Sequence, residues 1–157
     1  MPTVYNITRQ QAEYWPSKVD ESYVWITIQE PGQDHIHSHK LSKLKTLKIK
    51  FWDCIKPLPN LRGDEDCKIF YPPTKEDAKQ ILDFILDNKG KNIIVNCKAG
   101  KCRSGAIAQF CVDYLGYEWD AESKKRAHPN ILVYSMLSEL YGHPKKPIVN
   151  DKRRITP

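Results

Sequence analysis

Hydrophobic and polar residues recur along the chain with two different periods. Residues 22–29, "SYVWITIQ", are dense in β-branched and aromatic side chains and stop at Pro31-Gly32, which predicts a strand. Residues 44–52, "LKTLKIKFW", alternate apolar and basic positions, which predicts a second strand with one face in water. Residues 74–90, "TKEDAKQILDFILDNKG", change period. Ala78, Ile81, Leu82 and Ile85 share one helical face, Thr74 and Asp77 have capping-box spacing, and Gly90 ends the helix. A short buried strand, "NIIVN" at 92–96, follows. Two more helices are expected at 103–116, ended by Gly116, and at 130–142, started after Pro129 and ended by Gly142. Strands alternating with helices predict an α/β fold: a single domain with a central, mainly parallel sheet flanked by helices.

Between these elements, residues 54–73 hold Pro57, Pro59, Gly63, Pro72 and Pro73 and are too interrupted for regular structure. A loop of this length in a compact domain carries function or is disordered. The domain is expected to span residues 1–143, and the basic stretch 144–157 is expected to be a loose tail.

Composition narrows the setting. The chain has 157 residues, 40% hydrophobic and 28% charged, the balance of a soluble globular domain. No apolar run approaches the roughly 18 residues of a membrane span, and the N-terminus lacks signal-peptide order. Five cysteines, an odd number without framework spacing, fit a reducing, cytoplasmic location. A net charge of +6 attracts acidic partners without naming them.

The chemistry concentrates where "IIVN" runs into "CKAGKCRSGAIAQF". A turn between a strand's C-terminal end and a helix's N-terminus converges backbone N–H groups on one point, in the positive field of the helix dipole. A phosphate fits there. Arg103, six positions after Cys97, is spaced to return across the turn and grip two phosphate oxygens with its planar fork. The same field favours the thiolate of Cys97, an in-line nucleophile for a bound phosphoryl group. Ser104 is placed to hydrogen-bond that sulfur and ease its departure. None of the other four cysteines has an arginine six positions on.

These residues resemble the signature of the cysteine-dependent protein-tyrosine and dual-specificity phosphatases, His-Cys-x2-Gly-x2-Arg-Ser/Thr. Here it stands as Asn96-Cys97-Lys98-Ala99-Gly100-Lys101-Cys102-Arg103-Ser104. More loosely, residues 22–142 resemble the small, single-domain, bacterial-type members: "LKIKFWD" is similar to their strand leading to an acid, and "AHPNILVYSMLSELYG" to their closing Pro-Asn helix. The resemblance implies a phosphomonoesterase without metal or other cofactor, with Cys97 as nucleophile, Arg103 as phosphate clamp and residues 96–102 cradling the substrate. It implies a phosphorylated protein or other phosphomonoester as partner, inhibition by phosphate or vanadate, and no nucleic acid. Contact with an anionic membrane surface would be weak, without a spanning segment.

Asn96 departs from the family's histidine, although its amide can still donate to loop carbonyls. Weakened catalysis is expected, and a phosphate-binding pseudophosphatase is the alternative to an enzyme. The leaving oxygen needs a proton from a carboxylic acid. The resemblance points to Asp53, with Asp64 and Asp66 as alternatives in the loop beyond. Lys98 and Lys101 make "CKAGK" similar to the loop of tensin-type phosphoinositide 3-phosphatases, so a phosphoinositide or inositol phosphate stands as the alternative to a phosphotyrosyl protein, with phosphoserine and phosphothreonine also open. Cys102, immediately before the arginine, is placed as in the low-molecular-weight tyrosine phosphatases. It is either a redox partner for Cys97 or packing. His35, His37 and His39 alternate, so a strand would present all three to a metal; a solvated loop is the simpler reading. Trp52, Tyr71 and Tyr117 are candidates for an aromatic wall or for the core.

Overall fold

The computed structural model describes residues 1–60 and 69–142. The elements run β1 (Thr3–Thr8), α1 (Arg9–Glu13), β2 (Tyr23–Gln29), β3 (Lys45–Lys50), β4 (Leu58–Pro59), β5 (Ile69–Phe70), α2 (Lys75–Asp87), β6 (Asn92–Cys97), α3 (Arg103–Leu115), β7 (Glu118–Trp119), α4 (Ala121–Arg126) and α5 (Ile131–Leu140). Five strands form one sheet in the order β3-β2-β6-β1-β7, and every neighbouring pair is parallel. The expected parallel α/β architecture is therefore present.

Each element follows from local chemistry. Thr74 Oγ1 accepts from Asp77 N at 3.1 Å while Asp77 Oδ2 accepts from Thr74 N at 2.8 Å, the capping box that starts α2. Gly116 stops α3 with a left-handed φ of 76°. β3 tolerates its lysines because it is the sheet's edge. The expected irregular stretch after β3 departs from expectation in one detail: β4 and β5 pair as a minimal antiparallel ribbon. The expected tail at 144–157 lies outside the described residues.

Alternation along β6 builds two cores. Ile93, Val95 and Cys97 face a large cluster with Ala78, Ile81 and Ile85 of α2, Ala106, Ile107 and Phe110 of α3, and Val133 and Leu137 of α5. Ile94 belongs to a smaller cluster on the other face, with Ile7, Ala12, Trp25 and Leu41. Fully burying such side chains contributes about 1.5–3 kcal/mol each, so the helical layer over Cys97 is the deeper anchor.

Four further elements lie outside those expected from periodicity. β7 and α4 are short, and the five-residue α1 hardly registers. β1 is the important one, because it pairs with β6 over Val4–Ile93 to Thr8–Cys97 and so lies beside the strand that carries the cysteine. Its pattern is interrupted by Asn6, which is fully buried.

β1 also receives the turn after β6. Gly100 adopts φ +64°, and a Cβ there would stand 2.5 Å from Ile7 C, 2.6 Å from Ile7 O and 2.7 Å from Thr8 N. All three atoms are backbone and cannot swing aside. Gly100→Ala should therefore destabilise the protein by more than the roughly 1–2 kcal/mol of a left-handed residue alone. Gly90→Ala is the control: its φ is +89° with nothing within 4 Å, so it carries only the backbone term. Urea denaturation of the two variants should show the larger loss at Gly100; equal losses would mean that the turn does not rest on β1.

Candidate active site

β6 ends at Cys97 and α3 begins at Arg103, so the intervening turn lies at the carboxyl edge of the sheet, next to both β1 and β2. Open parallel sheets bind ligands at that edge. Lys98, Ala99 and Lys101 are exposed along the turn, and Gly100 is buried against β1. Three carbonyl oxygens are taken by backbone donors from outside it: Arg9 N to Lys98 O at 3.2 Å, His128 N to Lys101 O at 2.9 Å and Asn130 N to Cys102 O at 2.9 Å. The peptide planes are fixed by these bonds.

Cys97 Sγ lies 3.1 Å from Ser104 Oγ, and Ser104 Oγ donates to Asn6 Oδ1 at 2.5 Å. Nucleophile candidate and hydroxyl are thus brought together, with Asn6 behind them. Arg103 is 5% exposed. Its Nη1 donates to Phe51 O at 3.0 Å, and its Nη2 lies 3.9 Å from Glu30 Oε1. Arg103 Nε is buried without a hydrogen-bond partner, as is Glu30 Oε2. Leaving a buried donor unmade costs about 1–3 kcal/mol, more for a charged group, so this N–H suits an acceptor supplied from outside the chain.

Asn96 is buried, and its side chain is committed. Asn96 Oδ1 accepts from Trp25 Nε1 at 2.9 Å, while its Nδ2 reaches Cys97 O at 3.5 Å. The residue therefore joins the buried indole of β2 to the start of the turn, with an amide that offers an acceptor and a donor in opposite directions.

Asp53 is partly buried after β3, and its Oδ1 accepts from Asn130 Nδ2 at 2.9 Å. Asn130 also caps α5 through Leu132 N and Val133 N, and its own N–H holds Cys102 O. One asparagine thus connects the candidate acid to the turn. Asp64 and Asp66 lie outside the described residues.

The cysteines differ in environment. Burial pushes the Cys54 thiol up, with Asp53 adding to the effect and Arg103 opposing it. Burial alone pushes Cys111 far up. Both are held as thiols, inert as nucleophiles. Cys97 and Cys102 carry no disulfide, and Cys102 is half-buried. Among the three histidines, His37 and His39 are exposed and His35 is half-buried, all in irregular chain; burial pushes His35 down, with Lys50 and Lys48 adding to the effect. No group of three metal-ligating side chains occurs among the described residues. Trp52 stacks on Phe70 with centroids 4.2 Å apart, and Tyr71 is 60% exposed. Tyr117 is core, donating to Lys91 O at the opposite end of the sheet.

Four residues join the site beyond those expected from the motif: Asn6, Glu30, Trp25 and Asn130. Asn130 carried a signal, since Pro-Asn before an apolar helix is a cap. Asn6 stands inside "TVYNIT", where a polar residue at a strand's centre marks a buried hydrogen bond, but only the pairing of β1 with β6 says to what. The chain matches no family model, no curated protein and no solved structure. No helix among the described residues is long and apolar enough to cross a membrane.

The Trp25–Asn96 pair yields a double-mutant test. Asn96→Ala leaves the buried indole N–H unpaired and should lower stability by about 1–3 kcal/mol beyond the packing loss. In a Trp25→Phe background, which has no such donor, the same substitution should be milder by that amount. Urea midpoints of the four proteins measure the coupling; strict additivity would remove the bond from the account.

Proposed function

We propose that this protein is a phosphomonoesterase of the cysteine-dependent tyrosine and dual-specificity type, acting on phosphotyrosyl proteins through a phosphocysteine. The observation that carries this reading is the juxtaposition of Cys97 Sγ with Ser104 Oγ at the start of α3, beside a buried Arg103 whose Nε has no partner. A phosphoryl group seated over the turn would supply the oxygen that Arg103 Nε lacks, and would face the sulfur of Cys97.

In this reading the Cys97 thiolate attacks phosphorus, the S–P bond forms and the bond to the leaving oxygen breaks. The leaving oxygen takes a proton from a carboxylic acid, for which Asp53 is the candidate among the described residues. Water then cleaves the S–P bond and releases phosphate with the thiolate restored. Glu30 and Phe51 O would hold the arginine in place between turnovers. Lys98, Ala99, Gly100, Lys101 and Cys102 would line the phosphate cradle, and Cys102 remains a candidate redox partner for Cys97.

One observation favours a second substrate class. Lys98 and Lys101 are both exposed on the turn, where a second phosphate of an inositol ring would meet them. The reading of a binding module without turnover needs only the turn and Arg103.

Hydrolysis of p-nitrophenyl phosphate separates enzyme from binder, and matched panels of phosphotyrosyl peptides, phosphoseryl peptides and soluble phosphoinositides separate the substrates. Cys97→Ser should reduce turnover to background yet retain vanadate binding, whereas Arg103→Ala should lose both. Normal hydrolysis by Cys97→Ser would overturn the mechanism. Asp53→Asn should slow phenyl phosphates with poor leaving groups by about 100-fold and activated ones far less, because general acid catalysis contributes on the order of 10²–10⁴. Unchanged leaving-group dependence would remove Asp53 from the role.

A further inference from the structure

Ser104 stands between two groups that compete for its single hydroxyl proton. Its Oγ is 3.1 Å from Cys97 Sγ and 2.5 Å from Asn6 Oδ1. Which way the proton points is decided one residue further back. Asn6 Nδ2 donates to Ser123 O at 3.4 Å, which turns Oδ1, an acceptor only, toward Ser104. Rotating the amide would bring Oδ1 against the Ser123 carbonyl and lose that bond.

The rest of Asn6 is equally committed. Its backbone N–H donates to Ser123 Oγ at 2.8 Å, and Ser123 Oγ donates in turn to Asp120 Oδ2 at 2.8 Å. Arg126 Nη1 donates to Asn6 O at 2.7 Å. Asn6, Ser104 and Ser123 are each fully buried, so water does not substitute for any of these partners. The direction of donation is therefore set from the first turn of α4, through Asn6, into Ser104.

We infer that Asn6 is a positioning residue for Cys97: by taking the Ser104 hydroxyl proton it makes Ser104 an acceptor of the Cys97 S–H, so that the thiolate forms without a hydrogen bond from Ser104 unless Asn6 is left unpaired. The proton that leaves Cys97 goes to solvent, and no other bond changes. Ser104 then aids the sulfur only in a state where its hydroxyl has swung from Oδ1 to Sγ, and leaving Oδ1 buried without a donor opposes that swing. The inference rests on the reading of Cys97 as the reactive cysteine.

The charged groups on the elements around the turn are Arg103 of α3, lysines 98 and 101 of the turn, Arg9 of α1, Glu30 after β2 and Asp53 after β3. From α4, Asp120 and Arg126 are engaged with Ser123 and Asn6. All of these remain when Asn6 alone is changed, so a comparison with the wild-type chain isolates the proton's direction.

Alkylation of Cys97 by iodoacetamide, followed across pH by peptide mass mapping, reads the thiolate without requiring turnover. A chain that hydrolyses nothing therefore still tests Asn6, and failed hydrolysis would count against the proposed function alone. Asn6→Leu keeps the side chain's size and removes the acceptor. Ser104 is then released to donate to sulfur, and the midpoint of the profile should move down by about one pH unit, a roughly tenfold faster reaction below the midpoint. In a Ser104→Ala background, Asn6→Leu should produce no movement. Ser104→Ala alone, which does not depend on the Asn6 variant folding, should not raise the midpoint. An unmoved or raised midpoint in folded Asn6→Leu overturns the inference. So does an equal downward movement without Ser104, or a midpoint raised by a unit in Ser104→Ala.

Discussion

A guanidinium buried at the end of a parallel sheet is the constraint on which the rest of this structure turns. Arg103 is almost wholly removed from water, and a charge so placed is tolerated only with acceptors close around it. Those acceptors come from two strand ends: Glu30 follows β2 and Phe51 follows β3. Satisfying one arginine at the first position of α3 therefore draws together the carboxyl ends of β2 and β3 and the helix that covers them. The partners are nonetheless incomplete, with one N–H of the arginine and one oxygen of Glu30 unpaired. A site built to hold a ligand carries such a deficit more readily than a core built only for stability.

The same economy governs the asparagines. Asn6, Asn96 and Asn130 are all buried, and each divides its amide between an element of the scaffold and the turn or its neighbours. Asn96 joins the indole of Trp25 to the carbonyl of Cys97, and Asn130 joins the cap of α5 to Asp53. Asn6 joins α4 to Ser104. An amide is suited to this because it presents a donor and an acceptor with no charge to desolvate. The turn is thus tied to the scaffold by neutral bridges.

Much of this was legible in order along the chain. Capping residues, apolar faces and left-handed glycines act within a few positions of one another, so α2, β6, α3 and α5 could be placed from local pattern. The spacing of Cys97, Gly100, Arg103 and Ser104 likewise placed a turn between a strand and a helix. β1 was less legible, since a polar residue at its centre breaks the alternation and its burial comes from neighbours distant in sequence. The three histidines show the converse: their spacing offered a shared strand face, and the chain around them forms no strand.

What the sequence by itself determined is the set of short-range structures and the identity of the reactive types gathered at one turn, because those depend on contacts within about one helical turn or one strand. Tertiary structure alone decided which strands flank β6, that Glu30 and Phe51 receive the arginine, that Trp25 occupies Asn96, and that Asn6 stands behind Ser104. Each of those bonds joins residues 52 to 98 positions apart, brought together by parallel pairing that no local period encodes. The proton held between Asn6 and Ser104 belongs to neither segment of sequence, since its direction is set by a carbonyl on a third element.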